Sequence, residues 1–150
     1  MERLTGWTIV AVAAGAVVGI GTNHAWRQGI PASAWLDVRS VTASDATEGD
    51  DVTLVVERSI RARFHGEWIV TVRRLEHGGF STYCTGTGEN LYIPGALLPR
   101  PLYLSRWMGK ACPLAPGQYR VDTRWLVNAD GYSPKAISIE SNLFRVSPRQ

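Results

Sequence analysis

The chain has 150 residues, 45% of them hydrophobic and 19% charged, and its formal net charge is +3 at pH 7. This length suits one domain with an appendage, and the hydrophobic content is far too low for a protein that crosses a membrane many times. Of the 16 basic residues only Lys110 and Lys135 are lysines, and no long basic run is present, so nucleic-acid binding is not indicated.

The N-terminal region, residues 1–27, contains an apolar stretch long enough to span a membrane. A helix across a hydrocarbon layer of about 30 Å needs about 20 residues, which residues 4–22 supply. Trp7 and Trp26 bracket the stretch and would lie about 28 Å apart in a helix, as interfacial aromatic rings do. The sequence therefore predicts one N-terminal transmembrane helix that is an uncleaved signal-anchor, followed by a linker at residues 28–34.

Two alternatives to the anchor stay open. A cleaved signal peptide would use the Ala-Ser-Ala triplet at residues 32–34, although this lies far beyond the end of the apolar run. The run could also be a helix buried inside an assembly. Ala11, Gly15 and Gly19 repeat every four residues and would form one face of the helix. A second helix could pack closely on this face, whether in a membrane or inside an assembly. This face predicts helix pairing, including pairing with another copy of the chain.

The rest of the chain contains two cysteines, Cys84 and Cys112. Neither belongs to a CxxC motif, so a zinc site is not indicated. An even cysteine count behind an export-competent N-terminus predicts one disulfide in an oxidising compartment, either the periplasm or the extracellular side. Closing a loop of about 29 residues would stabilise the domain by about 3–4 kcal/mol. The alternative is two unrelated buried thiols.

From Trp35 onward the hydrophobic periodicity is two, which indicates strands. The alternation predicts strands at Trp35–Thr42, Asp51–Ser59, Glu67–Arg73, Gln118–Asn128 and Ala136–Val146, the last with a bend near Ser141. Turn residues stand between them at sandwich spacing, at residues 48–50, 65–66, 78–79, 115–117 and 130–131, and Gly86–Gly88 is also predicted as a turn. The predicted fold is an all-β antiparallel sandwich of six to eight strands over residues 35–150.

A few residues resemble those of immunoglobulin-like domains. The segment 116–121 is similar to the start of strand F in such domains, where Gly-x-Tyr precedes a core residue. Trp68 falls where strand C carries its core tryptophan, and Leu54 where strand B supplies the partner. The resemblance implies an immunoglobulin-like β-sandwich in which the Tyr119 hydroxyl bonds to nearby backbone and Trp68 lies in the core.

The sequence also departs from this pattern. The positions that hold the bridging cysteines of antibody domains carry Leu54 and Val121, and Ala115 replaces the acidic residue usual four positions before the tyrosine. The resemblance therefore concerns the fold and indicates no single family, and a fold of this kind hosts many functions.

No pattern of catalytic residues is evident. His24 lies beside the apolar stretch, and His65 and His77 fall in predicted turns without a nucleophile motif nearby. An acidic turn at residues 45–51 could hold Ca²⁺ weakly, but its carboxylates lack the order of a calcium loop, which favours a solvated turn. We expect no enzyme activity, no cofactor and no metal.

The candidate binding surface is basic and aromatic. Arg58, Arg61 and Arg63 surround the turn between the second and third predicted strands, at the opposite end of the domain from the acidic turn. The complete set of candidate contact residues is Arg58, Arg61, Arg63, Arg73, Arg74, Tyr103 and Trp107. Such a surface suits lipid phosphates or an acidic protein partner. An ordinary solvated surface is the alternative.

These features predict a membrane-anchored binding or envelope-interaction protein without catalytic activity. Residues 4–22 would hold it in the membrane, and the β domain would face the periplasm or the extracellular side. The alternative is a structural component of a phage, virion or membrane assembly whose apolar N-terminus packs against other subunits.

Overall fold

The computed structural model describes residues 28–150. The predicted signal-anchor and its helix-pairing face lie outside these residues. The described strands are β1 (Leu36–Ala43), β2 (Ala46–Thr47), β3 (Thr53–Ile60), β4 (Phe64–Glu76), β5 (Gly79–Tyr92), β6 (Leu102–Tyr103), β7 (Gly117–Asn128), β8 (Lys135–Glu140) and β9 (Phe144–Ser147). A 3₁₀ turn covers Ala32–Ala34, and a short helix, α1, covers Leu104–Met108. Within residues 28–150 no helix is long and apolar enough to cross a membrane.

The strands form two sheets, as the predicted all-β sandwich requires. The smaller sheet has the order β1-β3-β6, and the larger has the order β2-β9-β7-β4-β5. All strand pairs in the described residues are antiparallel except β2 with β9. Residues 28–34, predicted as a linker, lie against the sandwich, with Ile30 and Ala32 packed on its core.

One edge of β7 is shared by β8 and β9, which confirms the bend predicted near Ser141. β9 pairs with β7 at Gly117–Tyr119, and β8 pairs with it at Asp122–Val127. Between them the Ser141 N–H donates to the Val121 carbonyl at 2.8 Å, and the Val121 N–H donates to Ser141 Oγ at 2.9 Å. The serine side chain therefore replaces a backbone acceptor where the strand pairing is interrupted.

The core lies between the two sheets and follows the predicted alternation most closely in β7. The core-facing residues of this strand are 0–1% exposed: Tyr119, Val121, Thr123, Trp125 and Val127. Leu54 of β3 is also buried. Trp68 of β4, expected in the core, is half-buried and packs against the core from its margin.

The longest strand, β5, is the one that the sequence pattern missed. The predicted turn at Gly86–Gly88 is wrong, because these residues lie inside β5 opposite Trp68–Val70 of β4. The predicted turn at residues 65–66 is also wrong, because β4 already begins at Phe64. Strand β5 shows no hydrophobic alternation since glycines occupy part of its core face, where other residues supply the packing.

Gly86 and Gly88 leave room for α1 and for the Trp68 ring to pack against β5. A Cβ atom on Gly86 would lie 2.6 Å from the Met108 Cα atom, and one on Gly88 would overlap the Trp68 ring. The Trp68 Nε1–H in turn donates to the Trp107 carbonyl at 3.1 Å. Leu104, Trp107 and Met108 of α1 are buried. The short helix therefore serves as part of the core.

The predicted disulfide is present between Cys84 and Cys112, whose Cα atoms are 6.4 Å apart. It joins β5 to the connection between α1 and β7. Next to it, the Tyr83 hydroxyl donates to the Pro113 carbonyl at 3.1 Å. The connection is thus held to the outer strand of the larger sheet by one covalent bond and one hydrogen bond.

Tyr119 bonds to nearby backbone, as expected. Its hydroxyl donates to the Ala115 carbonyl at 2.7 Å while the residue itself is 0% exposed. Burial raises the pKa of this phenol, and the nearby Arg74 guanidinium opposes that rise. Arg74 also donates to the Pro116 carbonyl at 3.1 Å. Together these contacts fix the turn that leads into β7.

We predict that Gly86→Ala lowers the free energy of unfolding by about 1–3 kcal/mol, because the new methyl group meets the backbone of α1 and forces the helix away from β5. Urea unfolding followed by tryptophan fluorescence measures the change. Gly78→Ala is the matched control, since nothing lies within 4 Å of a Cβ atom there. Equal losses in the two variants would contradict the close approach of α1.

We also predict that Tyr119→Phe lowers the free energy of unfolding by about 1 kcal/mol, because it leaves the Ala115 carbonyl without its donor. Thermal unfolding provides the measurement. Tyr103→Phe serves as the control, since Tyr103 is 42% exposed. A Tyr119→Phe variant as stable as the control would show that the hydroxyl contributes nothing.

Candidate binding groove beside strand β3

The predicted basic surface is divided between the two ends of the domain. Arg61 and Arg63 lie at the turn between β3 and β4, whereas Arg73 and Arg74 lie near the other end of β4. Arg74 pairs with Tyr119 at the start of β7. Ten residues of extended strand span about 33 Å, so the two pairs of arginines cannot share one small ligand.

Several of these arginines already have partners within the domain. Arg61 pairs with Asp37 at 2.8 Å. Arg73 pairs with Asp122, which also pairs with Arg120 at 2.8 Å. Much of their charge is therefore neutralised on the surface itself.

The two aromatic candidates, Trp107 and Tyr103, differ in how exposed their side chains are. Trp107 is only 8% exposed and its ring packs on Trp125, with ring centroids 5.7 Å apart. Its side chain therefore covers the core. Tyr103 is exposed and remains available on the surface.

The acidic turn at residues 45–51 is bonded within the domain, since Asp50 pairs with Arg149 at 2.7 Å. Among residues 28–150 no three His, Cys, Asp or Glu side chains come together as metal ligands.

Among the predicted residues, Arg58 lines a groove beside β3. The groove has a volume of about 570 Å³ and lies between β3 and the segment that leads into β6. Its walls are residues 53–59 on one side and residues 98–102 on the other, with Arg39 beside them. The Arg58 guanidinium carbon lies 5.0 Å from the centre of the Tyr92 ring. A cation over an aromatic face at this distance is attracted to the ring.

Burial shifts the proton affinities of this pair. It lowers the pKa of the Arg58 guanidinium, and the neighbouring Tyr92 opposes this effect. Burial raises the pKa of the Tyr92 phenol, and the positive charge of Arg58 acts in the opposite direction. At neutral pH the pair consists of a cationic guanidinium and a neutral phenol. The positive charge of Arg58 is thus partly shielded from water.

The backbone of β3 is open along this groove. β6 pairs with β3 only at Thr53 and Leu54, and among the described strands nothing else pairs with that edge. The Leu104 N–H donates to the Val52 carbonyl at 2.9 Å. Because backbone groups alternate between the two edges of a strand, the even-numbered residues of β3 direct their N–H and C=O groups toward this same edge. By the same alternation Val56 and Arg58 direct their N–H and C=O groups into the groove.

The opposite alternation confirms this assignment. The Thr53 carbonyl accepts a hydrogen bond at 3.0 Å from Ser44, and the Arg61 N–H donates to the Trp35 carbonyl at 2.8 Å. Odd-numbered residues of β3 therefore face β1. From Val56 to Ile60 the open edge extends over about 13 Å.

The side chains around the open edge are basic and apolar. Arg39, Arg58 and Arg100 line the groove, against one acidic residue, Glu57. Val55 is 58% exposed there. This combination can bind an extended chain through backbone hydrogen bonds and bind carboxylates through guanidinium groups.

The sequence interpretation included Arg58 but missed Arg39, Arg100 and the open edge. Arg39 lies in β1 where the pairing register with β3 shifts, and it is brought to the groove by that pairing. Arg100 stands between Pro99 and Pro101 in a segment with no strand pattern. The repeated prolines were the available indication that no long strand covers β3 from this side.

No protein-family model matches the chain, and comparison with curated proteins finds no match.

Proposed function

We propose that this protein is a membrane-anchored binding protein without catalytic activity, whose β domain works on the periplasmic or extracellular side. The observation that carries the proposal is the disulfide between Cys84 and Cys112. Such bonds persist in oxidising compartments and are rare in reducing ones. An apolar N-terminal stretch of anchor length on the same chain supplies the route to that compartment.

We further propose that the domain is an immunoglobulin-like sandwich. Support comes from the bond between the Tyr119 hydroxyl and the Ala115 carbonyl, which is the arrangement of a tyrosine corner. The strand order agrees: β1 and β3 form one sheet with β6, and β4 and β7 stand at the centre of the other. Leu54 and Val121, at the positions that carry cysteines in antibody domains, are both buried. Folds of this kind serve binding in many settings, and the groove beside β3 provides a surface for it.

The first described residues lie at the basic end of the domain. Lys135 Nζ donates to the Gln28 carbonyl at 2.6 Å, and Trp35 bonds through its backbone to Arg61. With an anchor at residues 4–22, this end would face the bilayer. Arg61 and Arg63 would then lie near anionic headgroups, where each basic residue contributes about 1 kcal/mol to binding.

Fractionation of cells that produce the full chain tests the anchor. We expect the protein to stay in membranes washed with alkaline carbonate, and peptide mapping without reductant to recover Cys84 linked to Cys112. The control is the double variant Ala14→Arg/Val18→Arg, which places charges in the middle of the apolar stretch. Each charge there costs about 2.5–3.5 kcal/mol of insertion, so this variant should leave the membrane fraction.

Two outcomes would contradict the proposal. Recovery of the native chain as large soluble oligomers would favour a structural component of an assembly. Free thiols at Cys84 and Cys112 in freshly isolated protein would place the domain in a reducing compartment.

The basic end is tested by the double variant Arg61→Glu/Arg63→Glu. We expect this variant to float less with anionic phospholipid vesicles than the native chain does, and equally with neutral vesicles, when equal amounts of each detergent-purified full chain are added to preformed vesicles. Arg106→Glu/Lys110→Glu, which makes the same charge change beside α1, is the control. If both double variants float with anionic vesicles as the native chain does, the basic end does not contact lipid.

A further inference from the structure

The open edge of β3 differs in its surroundings from β5, the outer strand of the larger sheet. The core face of β5 is met by α1, and the disulfide ties β5 to the connection after α1. The edge of β3 from Val56 to Ile60 instead faces a groove whose far wall, residues 98–102, forms no strand pairing with β3 before Leu102. Open edges of this length attract other extended chains unless the structure prevents it.

The geometry points to an extended acidic peptide as the occupant: we propose that a segment of a partner protein adds to the smaller sheet as a strand against β3, with its carboxylates on Arg39, Arg58 and Arg100. This proposal deepens the binding function proposed above and rests on it. The backbone groups of Val56 and Arg58 would pair with the peptide backbone.

Charge decides in favour of an acidic chain. Three arginines and one glutamate are among the residues that line the groove, an excess of two positive charges. Guanidinium groups bind carboxylates through two parallel hydrogen bonds, so acidic side chains at alternate positions gain both charge pairing and a fixed orientation.

The same charges act against a second copy of this chain as the occupant. If two copies paired through their β3 edges, the arginines of one groove would face those of the other. Like charges at such short range are destabilising, and basic side chains on edge strands commonly prevent self-association. A partner with the opposite charge meets no such barrier.

The space suits a short strand. Four to five residues of extended chain cover the roughly 13 Å from Val56 to Ile60. The groove volume of about 570 Å³ falls within the range of pockets that hold small ligands. Exposed Val55 and half-buried Leu98 offer apolar contact for the uncharged positions of the segment.

Synthetic peptides test the proposal on the full chain purified in detergent. The probe is a fluorescein-labelled decapeptide of alternating Glu and Val, and the control has Lys in place of Glu. We expect saturable binding of the acidic peptide by fluorescence anisotropy and none of the basic peptide. Binding should weaken about tenfold in Arg100→Glu, an exposed position, and stay unchanged in Arg106→Glu, which lies on α1 outside the groove.

Backbone methylation separates strand addition from simple charge attraction. One acidic peptide is N-methylated on every Glu and a second on every Val, so each loses the amide protons along one edge. We expect one of the two to lose binding and the other to keep it. Equal binding by both would overturn the proposal, because it would show that only charge is recognised.

Two other results would also overturn it. Failure of the acidic peptide to bind a chain that remains in washed membranes would reject the groove as a peptide site while leaving the anchored binding protein in place. Self-association of the full chain that is lost in Arg100→Glu, without peptide binding, would assign the edge to a second copy.

Discussion

The disulfide between Cys84 and Cys112 holds the connection after α1 against the outer strand of the larger sheet. This connection closes a side of the sandwich that lacks strands, because the smaller sheet contains only β1, β3 and the two residues of β6. Covering the core there with irregular chain costs conformational entropy, since few backbone hydrogen bonds hold such a segment. The covalent bond offsets that cost by restricting the unfolded chain.

The close approach of α1 to β5 depends on the same closure. Gly86 leaves room for the backbone of Met108, and Gly88 leaves room for the Trp68 ring. In return α1 contributes Trp107 and Met108 to the core, and the Trp107 carbonyl accepts a hydrogen bond from the Trp68 indole N–H. Strand β5, whose composition does not favour a strand, is therefore stabilised by α1 and the Trp68 ring, which pack on it.

The sandwich is not closed along the second half of β3, from Val56 to Ile60, where no strand pairs with its outer edge in the described domain. Here the chain runs through Pro99 and Pro101 and pairs with β3 only from Leu102. The Arg58 guanidinium lies over the Tyr92 ring at this point, and Arg58 is also among the residues that line the groove. The binding surface that we propose is thus a direct consequence of how the sandwich is closed.

Much of the fold follows from the sequence itself. Alternation placed β7 and its buried face correctly, and the cysteine count gave the disulfide. The bend at Ser141 could be read from a change of phase along the chain. These patterns are local. Each strand must direct alternate side chains toward the core, so its pattern can be recognised from its own residues.

The candidate site could be predicted only in part. Arg58 was selected as one of a basic cluster, yet its role depends on Tyr92, on Arg39 across β1 and on Arg100 from a separate segment. Composition and periodicity alone determined an all-β domain with one disulfide. Tertiary structure alone decided which arginines are paired, that β5 is a strand and that β3 keeps an open edge. Each of these depends on which distant segments become neighbours, and that is settled by packing over the whole domain.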